Sequence, residues 1–270
     1  MGLPTASGQP SHCHRIGPDP AVVATRVELL AVLRDNLVPI LHNGQQAVVV
    51  DPAEAEPVAR WLQEHGIELV AILHTHHHAD HIGGTPGLLR LWPKAAVVAC
   101  AEDRQRIPLQ TVAVRDGDAL ELLGRRFAVL AVPGHTLQHL AYRLEPLDGT
   151  DDGGDLFCGD SLFAAGCGRM FEGTAEQMHA SLQRFAALPA NTRLWCAHEY
   201  TEANLRWAAA VAPENGAIRQ RLEAVQQLRQ AGGCTIPSSI RLELQTNLFL
   251  QAADPATFAR LRRHKDHFQG

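Results

Sequence analysis

Short apolar runs alternate with turn residues over most of the chain. That spacing predicts strands at residues 37–41 and 47–50, joined through Asn43-Gly44, a pair that tolerates the positive φ of a tight hairpin. The chain is thus expected to begin with a β meander. Residues 53–65 carry Val58, Trp61 and Leu62 at helical spacing and stop at Gly66. Residues 67–73 read as a buried strand. Further strands are expected at 95–100, 119–123, 127–132, 140–144 and 156–158, separated by turns such as Asp116-Gly117 and Gly124-Arg125. A helix at 174–188, capped by Thr174, precedes a strand at 193–196. Beyond Tyr200 the period becomes helical at 202–211, 218–231 and 255–267, and only residues 239–244 alternate like a strand. The expected organisation is an extension over residues 1–20, a mixed α/β domain over 21–198 and a helical domain over 199–270.

Composition narrows the class. With 270 residues, 46% of them apolar, the chain can bury a large core and does not read as disordered. No run approaches the roughly 20 apolar residues of a membrane-spanning helix. The opening MGLPTASGQPSHCHRIGPDP lacks the apolar centre of a secretion signal, and Ala6 stands where a myristoylation signal wants Ser or Thr. A formal charge of −5 argues against nonspecific nucleic-acid binding. The charge is uneven: residues 201–270 hold nine Lys and Arg against six Asp and Glu, so that part is +3 and the first 200 residues are −8. The six cysteines show no zinc-site spacing and read as free thiols in a reducing cytoplasm. Cys158 and Cys167 have no adjacent base to make them nucleophiles. His12-Cys13-His14, in a Gly, Pro and Ser-rich start, is expected to lie in a mobile tail.

Five of the 15 histidines fall between His74 and His81. The run His74-Thr75-His76-His77-His78-Ala79-Asp80-His81 follows a buried strand and ends at Gly83-Gly84, read as a sharp turn out of the site. In an extended chain His76, His78 and Asp80 point one way and His77 another, and His81 reaches a second point nearby. Imidazole and carboxylate are ligands for zinc, iron and manganese alike. One metal needs about four ligands, and three lone candidates sit just past apolar strands: His135, Asp160 and His198.

THHHADH with GG, then PGHT, GD and AHEY, resembles the motif series of the metallo-β-lactamase superfamily. GDSLFAAGCGRMFEGT at 159–174, AHEYT at 197–201 and RRHKDHF at 262–268 are similar to the glyoxalase II (hydroxyacylglutathione hydrolase) family. The resemblance runs from about Asp35 to Phe268 and implies a four-layer αββα sandwich with a C-terminal helical domain. It implies two divalent metal ions, zinc first among zinc, iron and manganese. His76, His78 and His135 would hold one, Asp80, His81 and His198 the other, and Asp160 would bridge them. Asp80 and Asp160 would thereby hold a hydroxide nucleophile. Arg169, Phe171, Tyr200, Arg262 and Lys265 map to the family's glutathione pocket, where guanidinium and ammonium groups suit carboxylates. Leu37, Gln138 and Gln251 depart from the family pattern without removing a metal ligand.

The implied activity is hydrolysis of S-D-lactoylglutathione and related 2-hydroxyacyl thioesters to glutathione and the hydroxy acid, the second step of methylglyoxal detoxification, by a monomer in the cytoplasm. A thiolate with a conjugate-acid pKa of about 8.5 leaves without a dedicated acid, and the sequence offers none. Two alternatives stay open. One is a glutathione-persulfide dioxygenase of the same fold with a single iron; the other is a metal-binding module without turnover.

Overall fold

A computed structural model gives the fold and describes residues 12–16, 24–147 and 153–268. The strands β1 (Cys13–Arg15), β2 (Arg26–Val32), β3 (Asn36–His42) and β4 (Gln46–Val50) lead into α1 (Ala55–Glu64). Next come β5 (Glu68–Leu73), the short helices α2 (Ala79–Ile82) and α3 (Thr85–Leu91), β6 (Ala96–Cys100) and β7 (Val112–Val114). They are followed by β8 (Ala119–Leu122), β9 (Arg125–Ala131), β10 (Leu140–Leu144), β11 (Asp155–Gly159) and the small hairpin β12 (Leu162–Phe163) and β13 (Gly166–Cys167). Helix α4 (Ala175–Ala186) and β14 (Arg193–Cys196) precede the helical region: α5 (Thr201–Val211), α6 (Gly216–Gln230), β15 (Ser238–Ser239), α7 (Ile240–Thr246) and α8 (Pro255–Asp266).

Two sheets stack. One is ordered β2-β3-β4-β5-β6-β7, the other β1-β8-β9-β10-β11-β14-β15. Alternation along the strands explains the layering: Val38, Ile40, Val49 and Ile72 pack with Val58, Leu62 and Leu88 of α1 and α3, whereas Leu41, Val48, Val50 and Leu73 join a second core. That core takes Leu120, Phe127, Val129 and Tyr142 from the other sheet, Met178, Leu182 and Phe185 from α4, and continues into Trp207, Phe249 and Phe258 of the helical region. The result is the αββα order with helices added at the C-terminal side. No helix among the described residues is long and apolar enough to cross a membrane.

Several expectations need correction. Residues 13–15, expected in a mobile tail, form β1 and pair in parallel with β8; residues 1–11 and 17–20 of the expected extension lie outside the described residues. The meander begins one strand earlier than expected, because β2 pairs along its full length with β3. Residues 239–244 are helical, apart from Ser239, which caps α7 by accepting from Leu242 N–H. Ile240, Leu242 and Leu244 alternate in sequence, but Ile240, Glu243 and Thr246 are the buried set, at helical spacing. Gly83 and Gly84 do not turn the chain sharply; both have right-handed helical torsions. They are small because a Cβ on Gly84 would lie 2.7 Å from Pro52 O, and one on Gly83 2.7 Å from Ala79 O.

Candidate metal centre and substrate pocket

β5 ends at Leu73 and delivers Thr75 and His76 into the interior. The extended alternation stops at His78, the N-cap of α2, so Asp80 turns away from His76 and His78 and joins His81. His135 follows β9, Asp160 follows β11 and His198 lies beyond β14. All seven residues expected to bind metal meet at this edge of the sandwich. Two groups result, His76 with His78 and His135, and Asp80 with His81 and His198, each with its ligand atoms within 4.8 Å of one another. Asp160 lies between them: Oδ2 is 3.5 Å from His135 Nε2, and Oδ1 is 3.4 Å from both His81 Nε2 and His198 Nε2.

An acceptor behind four of the five rings fixes which nitrogen faces inward, and His78 turns its Nδ1 to His76 Nε2 and His135 Nε2 at 2.9 and 3.1 Å. Thr75 donates its hydroxyl to Asp51 Oδ2, so His76 Nδ1–H donates to Thr75 Oγ1 at 3.0 Å. His81 Nδ1–H donates to Asp51 Oδ2 at 3.0 Å, His135 Nδ1–H to Arg169 O at 2.8 Å, and His198 Nδ1–H to Asp35 Oδ1 at 2.8 Å. The Nε2 of each of these four rings is thereby turned toward the centre, the arrangement that metal-binding histidines use. Asn36 Nδ2 donates to Asp80 O at 3.1 Å and to Asp80 Oδ2 at 3.2 Å. Asp160 N–H donates to His139 Nε2 at 3.3 Å. At Gly159, φ is 50° and a Cβ would fall 2.3 Å from Thr75 Oγ1, so only glycine lets β11 approach.

The electrostatics ask for a cation. Buried His81 Nε2 and Asp160 Oδ1 have no hydrogen-bond partner, which is costly unless something else binds them. Burial works against a charge on His81, yet Asp160 and Asp51 outweigh it and raise that ring well above its usual value. Burial also opposes ionisation of Asp160, and His81, then His198 and His135, overcome it and keep the carboxylate ionised. His76 is driven well below its usual value by burial, with His81 and His139 adding to it, so it stays neutral. Nitrogen and carboxylate donors converging on unpaired lone pairs fit divalent metal ions.

The cluster opens into a pocket of about 470 Å³, lined by His135 and Asp160 of the sandwich and by Arg262 and Lys265 of α8. Arg169, Phe171 and Tyr200 line it too, so the five expected substrate contacts share one cavity. Phe171 is 64% exposed and sets its ring edge-on to His78 and His135, and Tyr200 stacks on His198 at 4.8 Å. Arg262 is buried, donating to Cys167 O at 2.9 Å and to Asp266 Oδ1. Cys158 and Cys167 are buried thiols whose pKa burial pushes up.

Sequence reasoning missed the groups behind the ligands. Asp51 has no role in the sequence pattern; a carboxylate directly after the buried β4 is the available signal. Nothing in the spacing marked the roles of Asp35, Asn36 or His139. Of the family departures, Leu37 is buried, Gln138 faces Cys100 Sγ at 3.8 Å, and Gln251 donates to Leu244 O at 2.9 Å.

A family model described as the metallo-beta-lactamase superfamily matches residues 37–198, and one described as the hydroxyacylglutathione hydrolase C-terminus matches residues 199–268. A hydroxyacylglutathione hydrolase of Prochlorococcus marinus (strain MIT 9303) is 56% identical over 90% of this chain and 94% of its own length. One from Parasynechococcus marenigrum (strain WH8102) is 54% identical over 89% of this chain and 96% of its own. The crystal structure of ETHE1 from Myxococcus xanthus aligns with a TM-score of 0.63 at 27% identity, over 88% of this chain and 90% of that one. With both parts of the chain matched and more than half of the aligned residues identical to such relatives, the protein belongs to the hydroxyacylglutathione hydrolases of the metallo-β-lactamase superfamily.

Proposed function

We propose that the protein hydrolyses S-(2-hydroxyacyl)glutathione, chiefly S-D-lactoylglutathione, to glutathione and the 2-hydroxy acid, as the second step of methylglyoxal detoxification. The observation that carries this reading is one pocket lined both by residues of the ligand-type cluster and by two basic side chains of α8. His76, His78 and His135 would hold one divalent ion and Asp80, His81 and His198 a second, with Asp160 available to both. Zinc suits this set, and iron or manganese fits it as well. Two such ions supply a water that ionises near neutral pH and Lewis-acid polarisation of a carbonyl.

The protein's own residues do the rest. Asp51, Asp35 and Arg169 O hold their histidines in one tautomer, so no reorientation is needed when substrate arrives. Phe171 and Tyr200 flank the reacting end and exclude water from the thioester. Arg262 and Lys265 take the carboxylates of the glutathionyl part, with Arg169 at the rim. The C–S bond breaks to give a thiolate whose conjugate acid has a pKa of about 8.5, so no proton donor is required. The site is complete within one chain, which supports action as a monomer. Six free cysteines support a reducing, cytoplasmic setting.

The test is thiol release from S-D-lactoylglutathione by metal-loaded protein, with bound metal counted by elemental analysis. Turnover with two ions per chain is expected. Release no faster than that of Asp160→Ala would overturn the reading.

A further inference from the structure

The hairpin β12–β13 is too short to satisfy its own backbone, and its connection contains Ala165 at φ 56°, a left-handed torsion unfavourable for a residue with a Cβ. Side chains of the helical region supply what the turn lacks. Glu243 Oε2 of α7 accepts from Ala165 N–H at 2.7 Å. Asn247 Nδ2 donates to Gly166 O at 2.9 Å and to Phe163 O at 3.2 Å, and Asn204 Nδ2 of α5 donates to Ala164 O at 2.9 Å. The donors and acceptor are themselves fixed. Glu243 is fully buried, takes Arg221 Nη2–H at 2.7 Å on its other oxygen, and accepts from Asn247 Nδ2 at 3.0 Å.

What the hairpin carries makes this seat consequential. Phe163 sets its ring edge-on to His198 at 5.8 Å and to Tyr200 at 5.2 Å. Past Cys167 the chain reaches Gly168, where a Cβ would fall 2.0 Å from Asp160 O, and then Arg169, whose carbonyl accepts from His135 Nδ1. A shift of the turn therefore moves one wall of the pocket and the acceptor behind His135 together.

We infer that Glu243 and Asn247 are positioning residues: they anchor the 163–166 turn and thereby set the pocket wall and the orientation of His135, although neither lines the pocket. The helical region is thus a structural part of the reacting end as well as the support for Arg262 and Lys265. The kinetic consequences rest on the thioester hydrolysis proposed above; the backbone consequences do not.

Hydrogen exchange and kinetics test it together. In the unaltered protein Ala165 N–H exchanges slowly, as the amides of β11 and β14 do; exchange as fast as in the exposed 43–46 turn would overturn the anchor. In Asn247→Ala, residues 160–170 exchange at least tenfold faster and KM for S-D-lactoylglutathione rises at least tenfold. Asn215→Ala, which removes the N-cap of α6 in the same region, lowers the unfolding midpoint with neither change. Equal exchange and equal KM in these two variants at matched folded fraction would refute the inference. Should Asn247→Ala fail to fold, Glu243→Gln and Glu243→Met decide. The amide oxygen of Gln can still accept from Ala165 N–H and restores KM relative to Met, and equal KM values would overturn the proposal. If the unaltered protein releases no thiol, the functional reading fails alone, and exchange at 160–170 still judges the anchor.

Discussion

At the sandwich end of the pocket His76, His81, His135 and His198 each have a fixed acceptor behind them, whereas at the helical end Lys265 Nζ lies 5.2 Å over the Trp207 ring and Arg262 5.1 Å over Phe249. Directional bonds hold the first end. Aromatic faces lie beneath both cations of the second, where Arg262 also pairs with Asp266 at 2.9 Å and donates to Cys167 O. The difference follows from what each must do: ligand lone pairs have to converge on a point, but a flexible tripeptide needs only charge at about the right place. Changes at the first end should remove turnover together with metal, and changes at the second should raise KM and leave kcat.

The most severe break is Asp160→Ala, or exhaustive chelation, which should abolish thiol release; retention of turnover after either would dissolve the distinction. Asp35→Asn comes next, because it keeps shape and removes the carboxylate behind His198. Metal affinity or activity should drop roughly 10- to 100-fold, the usual range for a group behind a ligand, and a change in KM alone would contradict it. Lys265→Met should raise KM about tenfold with kcat unchanged, the loss of one charge-assisted hydrogen bond. Burial, and after it Arg262, brings the Lys265 ammonium down to about 8. It is therefore charged at pH 7 and neutral as pH rises past that value, so KM should climb across pH 8 in the unaltered enzyme and stay flat in Lys265→Met. The smallest effect belongs to Thr174→Ala, which removes the capping box of α4 and touches neither end. Urea unfolding should show a loss of about 1 kcal/mol with unchanged kinetics.

The ligand set was legible because each member is a chemically distinctive residue at the end of an apolar strand, and the sandwich brings strand ends to one edge. The residues behind it were not. Asp35 and Asp51 sit in turns where aspartate is common for reasons of backbone alone, and only tertiary contact reveals their imidazole partners. Helix α7 is not legible as a helix because its buried face includes Glu243, a charged residue that Arg221 neutralises from α6, the helix packed against it. A hydrophobicity pattern counts such a position as exposed. β2 was missed for a related reason: Arg26 and Glu28 interrupt its apolar residues on the open side of the sheet.

The three residues of β1 have a consequence for solubility. Their pairing, extended by Ala119 N–H to His12 O and Ile16 N–H to Glu121 O, covers the outer backbone groups of β8, and Arg15 sets its guanidinium on Glu121. An uncovered β8 would offer a free hydrogen-bonding edge to the same strand of another molecule. This short segment, far from the chemistry, thus takes that edge away from β8, and at three residues is itself a short one to offer.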